Sequence, residues 1–241
     1  MLKIESLDKS ITENFRIVAL VQGDSGAGKT HFSSTFPSPV FIDCDDKIQG
    51  AIEGDIRVIK LCNVIEPMFI QESEAAIQMC IMDKWCKTII LDSLSTYCDM
   101  LMVNIQIVSR SIGKIPTQHD YGTQISKIRK MIYDLRHSGK NVVMTCHINI
   151  SKNDRTGIWR GLPLVTGKLS EKIQGLFQEN YRLFVDTVDG KSVFKLKAVS
   201  DDIFSAASLI LLEKFKSEII DPSYLKIIQS SRYASLLSKS E

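Results

Sequence analysis

The octapeptide Gly23-Asp24-Ser25-Gly26-Ala27-Gly28-Lys29-Thr30 constrains this chain more than any other stretch, because it dictates a local geometry and a topology together. Its spacing is G-x-x-x-x-G-K-[ST]. Glycines let the backbone curl so that successive N–H groups face an anion, a lysine reaches along a polyphosphate, and a hydroxyl is positioned for a divalent cation. The context has the required form: the apolar run Ile17-Val18-Ala19-Leu20-Val21 reads as a buried strand entering the loop, and Lys29 to Thr35 as the helix leaving it. A glycine-rich turn without a ligand is the alternative.

Two further strands end in acids. Val40-Phe41-Ile42-Asp43-Cys44-Asp45-Asp46 follows a break at Phe36-Pro37-Ser38-Pro39, where two prolines stop a helix. Ligands of open α/β sheets gather at the carboxyl ends of strands, so Asp43, Asp45 and Asp46 are candidates for chemistry; capping a turn is their other reading. Lys87-Thr88-Ile89-Ile90-Leu91-Asp92-Ser93 has the form of a Walker B strand, whose aspartate works opposite Thr30 on a Mg²⁺ ion. Asn141-Val142-Val143-Met144-Thr145-Cys146-His147 is a third strand ending at the same edge. Between these strands the pattern predicts a short strand over 55–62 and helices over 66–83 and 94–111. A further helix, N-capped by Asp120, runs to His137 and closes at Ser138-Gly139.

Residues 148–168 carry no convincing periodicity and read as a long loop, which in a compact domain is functional or mobile. Lys152, Arg155, Arg160 and Lys168 stand there against the single acid Asp154, with Trp159 among them. Cations that track phosphates and an indole that stacks on a base suit single-stranded nucleic acid; a lid over the phosphate site is the competing reading. Arg110 and Lys114 lie at the start of a second loop near 112–117. After a helix over 169–178, residues 181–188 and 192–199 read as a hairpin turning at Asp189-Gly190, with Lys195 and Lys197 on one side of its second strand. Short amphipathic patches beyond Asp201 suggest a helical tail.

The 241 residues suffice for one sizeable α/β domain, with 1–14 as a lead-in, 15–200 as the core and 201–241 as the tail. With 30 Lys and Arg against 28 Asp and Glu, global charge neither announces nor excludes a nucleic-acid partner, so that case rests on local clustering. Six cysteines without a C-x-x-C pair suit a reducing compartment. No apolar run approaches the roughly 18 residues of a membrane span and no secretory leader is visible, so the expectation is a soluble, cytoplasmic protein.

The order GDSGAGKT, FIDCDD, TIILDSLSTY, NVVMTCH and a basic loop resembles the RecA core over about residues 15–200. More narrowly it is similar to the phage-encoded RecA-like ATPases of the Sak class, which accompany single-strand annealing and recombination. Asp120-Tyr121-Gly122, Gly161-Leu162-Pro163 and Thr166-Gly167-Lys168 are part of that likeness. The resemblance implies an α/β RecA-like P-loop fold with a C-terminal hairpin and helical tail. It also implies ATP and Mg²⁺ held by Gly23 to Thr30 with Asp92, a general base at Asp45 with Asp43 as fallback, and a polar sensor at His147. DNA loops would lie at about 112–119 and 148–168, and Lys195 and Lys197 would be inserted across a subunit interface. The partners implied are single-stranded DNA, further copies of the chain in a ring or filament, and a single-strand-binding or other replication protein. A helicase loader or similar replication accessory, and a small-molecule or nucleotide kinase, are the rival functions.

Overall fold

The computed structural model describes residues 14–48, 54–64, 66–152 and 157–237. Strand β1 (Val18–Gln22) is buried at every position, as are β2 (Pro39–Asp43), β4 (Thr88–Asp92) and β5 (Asn141–Cys146). Continuous apolar runs of this kind belong inside a parallel sheet covered on both faces. These strands pair in parallel, joined by β3 (Arg57–Lys60) at one edge, in the order β3-β2-β4-β5-β1. On the other side of β1 the sheet continues through β8 (Glu179–Val188), which is parallel to β1, and β9 (Lys191–Lys197), which returns antiparallel. Asp189 and Gly190 turn that hairpin at φ 51 and 75, the left-handed geometry that D-G supplies.

Side-chain alternation sends each strand into two cores. Val18 and Leu20 of β1 join a cluster with Ile42, Ile89, Leu91 and Met144, covered by α2 (Phe69–Met82), α3 (Leu94–Val108) and α4 (Gln118–Arg136). Ala19 and Val21 face the other way, with Phe41, Ile90, Val143 and Tyr181. On that second face the six-residue α1 (Lys29–Ser34) contributes Phe32 and is too short to cover the sheet. Leu211, Ile219 and Ile227 of the tail supply further cover, each side chain of this size contributing roughly 1.5–3 kcal/mol when fully buried.

The tail is therefore more than helices. β10 (Ala207–Ser208) pairs with β8 and β11 (Ile219–Ile220) with β9, while α6 (Glu213–Lys216), α7 (Tyr224–Gln229) and α8 (Ala234–Leu237) are single turns or little more. Glu179 on β8 pins this arrangement. Its buried carboxylate accepts from the hydroxyls of Tyr181 and Ser208 and from the backbone N–H groups of Leu209 and Ile210, and burial pushes its pKa up.

Several boundaries differ from the sequence reading. The long loop at 148–168 contains a two-stranded antiparallel sheet, β6 (Ile148–Lys152) and β7 (Trp159–Pro163), which the missing periodicity concealed because β6 is exposed over most of its length and β7 over its first two residues. Asp120 is not the N-cap of α4: Thr117 is, and Asp120 returns its bond in a capping box. Pro67 precedes α2 instead of sitting in its first turn, and the helix expected over 169–178 is α5 (Leu169–Lys172) followed by a 3₁₀ turn at Ile173–Leu176. The lead-in at 1–14 falls, except for Asn14, outside the described residues.

Candidate nucleotide site

Sheet order determines what meets at the phosphate loop. β5 lies between β1 and β4, and β2 lies beyond β4, so the carboxyl ends of all four open onto one edge. The loop from Gly23 to Thr30 joins β1 to α1 across that edge. Two glycines are sterically required. A Cβ on Gly23 would collide with the Leu183 carbonyl oxygen, and Gly28 sits at φ 83, where only glycine is free of strain. Gly28 caps α1 without any side chain, so the first N–H groups of the helix remain open toward the loop.

Lys29 is buried and bends back across the loop, donating to the carbonyls of Gly23 and Asp24 at 2.8 Å each. Burial lowers its pKa, and the nearby Asp92 carboxylate pulls it back up. Asp92 accepts from Thr30 Oγ1 at 2.8 Å and, on its other oxygen, from Thr145 Oγ1. Burial raises the Asp92 pKa, the two hydroxyls opposing it. A hydroxyl and a carboxylate with their oxygens 2.8 Å apart form the hard donor set that Mg²⁺ takes, so Thr30 and Asp92 fit that ion.

The three acids at the end of β2 separate into distinct roles. Asp43 is buried and accepts from the N–H groups of Asp45 and Asp46 at 3.0 and 2.9 Å, closing the turn. Asp46 pairs with Lys60 at 2.7 Å. Asp45 alone among them faces the end of β4 and β5: Ser93 Oγ donates to it at 3.2 Å, and His147 Nε2 stands 3.9 Å from its other oxygen. Burial lowers the His147 pKa, with Lys29 adding to the effect, so the ring is held toward its neutral form. Asp43, Asp46 and Cys62 also converge, but Lys60 already occupies Asp46 and burial keeps the Cys62 thiol protonated, which does not suit a metal.

A family model described as an AAA domain matches residues 16–207. The chain belongs to the AAA domain family. This AAA domain is a P-loop ATPase of RecA-like fold, with the mostly parallel central sheet flanked by helices that the sequence predicts, and its family implies nucleotide binding with Mg²⁺. No curated protein matches the sequence. Among solved structures, a KaiC-like protein from the hyperthermophilic archaeon Pyrococcus horikoshii OT3 superposes with a TM-score of 0.42 at 12% identity, covering 75% of this chain and 78% of that one. Among the described residues no helix is long and apolar enough to cross a membrane.

The AAA domain brings Lys29, Thr30, Asp45, Asp92 and His147 together but distributes the other sequence candidates. Lys152, Trp159 and Arg160 share the β6–β7 hairpin, where Lys152 faces Trp159 across the strands with its ammonium 5.9 Å from the ring centre. Arg160 lies opposite Ser151 and therefore points from the other face. Arg155 lies outside the described residues. Arg110 and Lys114 are exposed on the turn after α3, and Lys168 is exposed at the start of α5. Lys195 pairs with Asp186 and Glu218 at 3.0 and 3.1 Å, and Lys197 with Asp201 at 2.9 Å, so both are engaged within the chain.

Sequence reasoning missed Thr145, Ser93 and Ser95. Thr145 lies on β5 two residues before His147, and its hydroxyl reaches Asp92. Ser93 is the N-cap of α3, accepting from Thr96 N, and Ser95 Oγ accepts the His147 N–H at 3.1 Å. A cap signal was legible at Ser93; nothing in the sequence marked Ser95.

Proposed function

We propose that this chain is a Mg²⁺-dependent ATPase that acts on single-stranded DNA in phage-type annealing or recombination, in the manner of the Sak class, as an oligomer in the cytoplasm. The observation that carries the reading is chain continuity. β5 ends at Cys146, His147 stands 3.9 Å from Asp45, and β6 begins at Ile148, leading into the hairpin with Trp159 and its cations. Leu164 N also donates to His147 O at 2.7 Å, so His147 is joined to one end of the hairpin's foot by the chain and to the other by that bond.

Each residue then has a task. Asp45 accepts the proton of the attacking water, with Ser93 Oγ fixing the carboxylate and the neutral imidazole of His147 available to hydrogen-bond the terminal phosphate. Lys29 leaves the carbonyls of Gly23 and Asp24 and turns its ammonium to the transferring phosphoryl, where charge builds up. Thr30 and Asp92 hold Mg²⁺, which when bound neutralises charge on the outer phosphates. A change at His147 moves the foot of the hairpin, which couples the occupied site to the strand that binds DNA.

The test is the ATPase rate with and without single-stranded DNA, for wild type and Lys29→Ala. Stimulation by DNA in wild type and loss of turnover by about 100-fold or more in the variant are expected. Turnover that ignores DNA but requires a phosphate acceptor would replace this reading with a kinase.

A further inference from the structure

On the side of β1 away from Asp92 lies a cavity of about 480 Å³ that shares Gly28 with the phosphate loop. Its other walls include His31 on α1, Leu183 and Phe194 on the β8–β9 hairpin, and Asp221, Pro222 and Ser223 from the tail. Sheet order gives the direction. β5, β4 and β2, with the acids and His147 at their ends, stand on one side of β1; β8 and β9 stand on the other. Lys29, Thr30 and Asp92 mark where terminal phosphates sit, so the remainder of a nucleotide leaves the loop past Gly28 toward β8 and β9.

Phe194 forms the receiving surface there. A Cβ placed on Gly28 would come within 2.8 Å of the Phe194 ring, so ring and loop are in direct contact, and the residue is still 39% exposed. The tail is fastened opposite it. Asp221, in the left-handed region at φ 45, donates its N–H to the Phe194 carbonyl at 2.8 Å, and Tyr224 N donates to Thr35 Oγ1, just past the end of α1, at 2.8 Å. Those two bonds hold the turn at 221–224 between β9 and α1, and a residue in that strained backbone region persists only where its surroundings enforce it. A recess of this volume, whose apolar walls also carry the polar side chains of His31, Thr35, Asp221 and Ser223, has the character of a small-molecule site.

We propose that this recess seats the base of the nucleotide, with Phe194 as the stacking face and residues 221–223 as the outer wall, so that the tail is a component of the nucleotide site. This rests on the phosphate loop being a triphosphate site. The ligand class is a nucleoside triphosphate, recognised by stacking at one end and by the loop at the other.

Calorimetric titration of wild type, Phe194→Ala and Phe194→Tyr with ATP and with inorganic tripolyphosphate, each with Mg²⁺, tests it. Wild type should bind ATP more tightly than tripolyphosphate. Phe194→Ala should weaken ATP by roughly 5- to 100-fold while leaving tripolyphosphate unchanged, and Phe194→Tyr should retain ATP affinity. Equal loss for both ligands, or unchanged ATP affinity, overturns the seat. Wild type that binds ATP no more tightly than tripolyphosphate also overturns it without any variant, leaving the phosphate-loop reading intact. Wild type that binds neither overturns both.

Discussion

The phosphate-loop edge of the sheet and the β6–β7 hairpin that springs from it obey opposite rules of construction. At the edge, β1, β4 and β5 are buried throughout, and the reactive polar groups are already bonded: Asp92 to two threonines, Asp43 to two backbone amides, Asp45 to Ser93. The hairpin has only two strands, a size that is marginal alone in water, and exposes Trp159 at 51% and Ile150 at 47%. It is secured at its foot, where Leu164 N bonds His147 O and Gly161 N bonds Ile203 O at 2.7 and 2.8 Å. Positioning for chemistry thus comes from the core, while the hairpin leaves an apolar and basic surface exposed, with His147 between them.

The largest effect separating the two regions should come from Asp45→Asn. Loss of the proposed proton acceptor should lower turnover by about 10²- to 10⁴-fold while ATP still binds, since the amide keeps the shape and can still accept from Ser93. Asp43→Asn is the contrasting change. Asp43 holds the turn through the amides of Asp45 and Asp46, so its loss should be read in thermal stability before it is read in turnover. If Asp43→Asn instead binds ATP and stops hydrolysis while Asp45→Asn does not, the base has been placed two residues away from its true position.

This division also explains what the sequence could reveal. The edge was legible because burial on both faces forces continuous apolar runs, and because phosphate chemistry forces Gly23, Gly28, Lys29, Thr30 and a strand-end Asp92. The separation of Asp43, Asp45 and Asp46 was not legible, since three acids within four positions look alike until the turn assigns their oxygens. The hairpin was hidden for the opposite reason: with Trp159, Arg160, Lys152 and Ser151 all exposed, no alternation of apolar and polar residues exists to betray its strands. The tail's part in the sheet was equally unreadable, because β10 and β11 are two residues each and depend on Glu179 and on a sheet face that α1 is too short to cover.

A smaller effect tests the hairpin's half of the comparison. Trp159→Ala should weaken single-stranded DNA by about 1–3 kcal/mol, the range for one base stacked on an aromatic ring. Lys152→Ala and Arg160→Ala should each reduce the slope of log affinity against log salt by about 0.7, as expected when one phosphate contact to a single strand is lost. Because Arg160 and Trp159 point from opposite faces of the hairpin, a response to only one of them would identify the face the strand follows. Fluorescence titrations at several salt concentrations measure both quantities. Affinity that ignores salt and all three changes would sever the hairpin from DNA.

The smallest effect concerns stability at the edge. Burial raises the Asp92 pKa above its ordinary value of 3.8 despite the hydroxyls of Thr30 and Thr145, so the folded protein prefers this carboxyl protonated relative to the unfolded chain. For an acid shifted upward, the stabilising contribution is fully present below the unfolded value and is lost as pH rises through the folded one. Asp92→Asn removes that titration, while Asp43, also raised by burial, titrates in wild type and variant alike. Without nucleotide the variant should therefore gain stability on wild type as pH is raised from about 4 to 7, even though Mg²⁺-dependent turnover is lost. Urea unfolding of both proteins across that range measures the difference. A gap that stays constant with pH would mean that the Asp92 charge is carried at the edge without cost, and that the edge is no more strained by its function than the hairpin is.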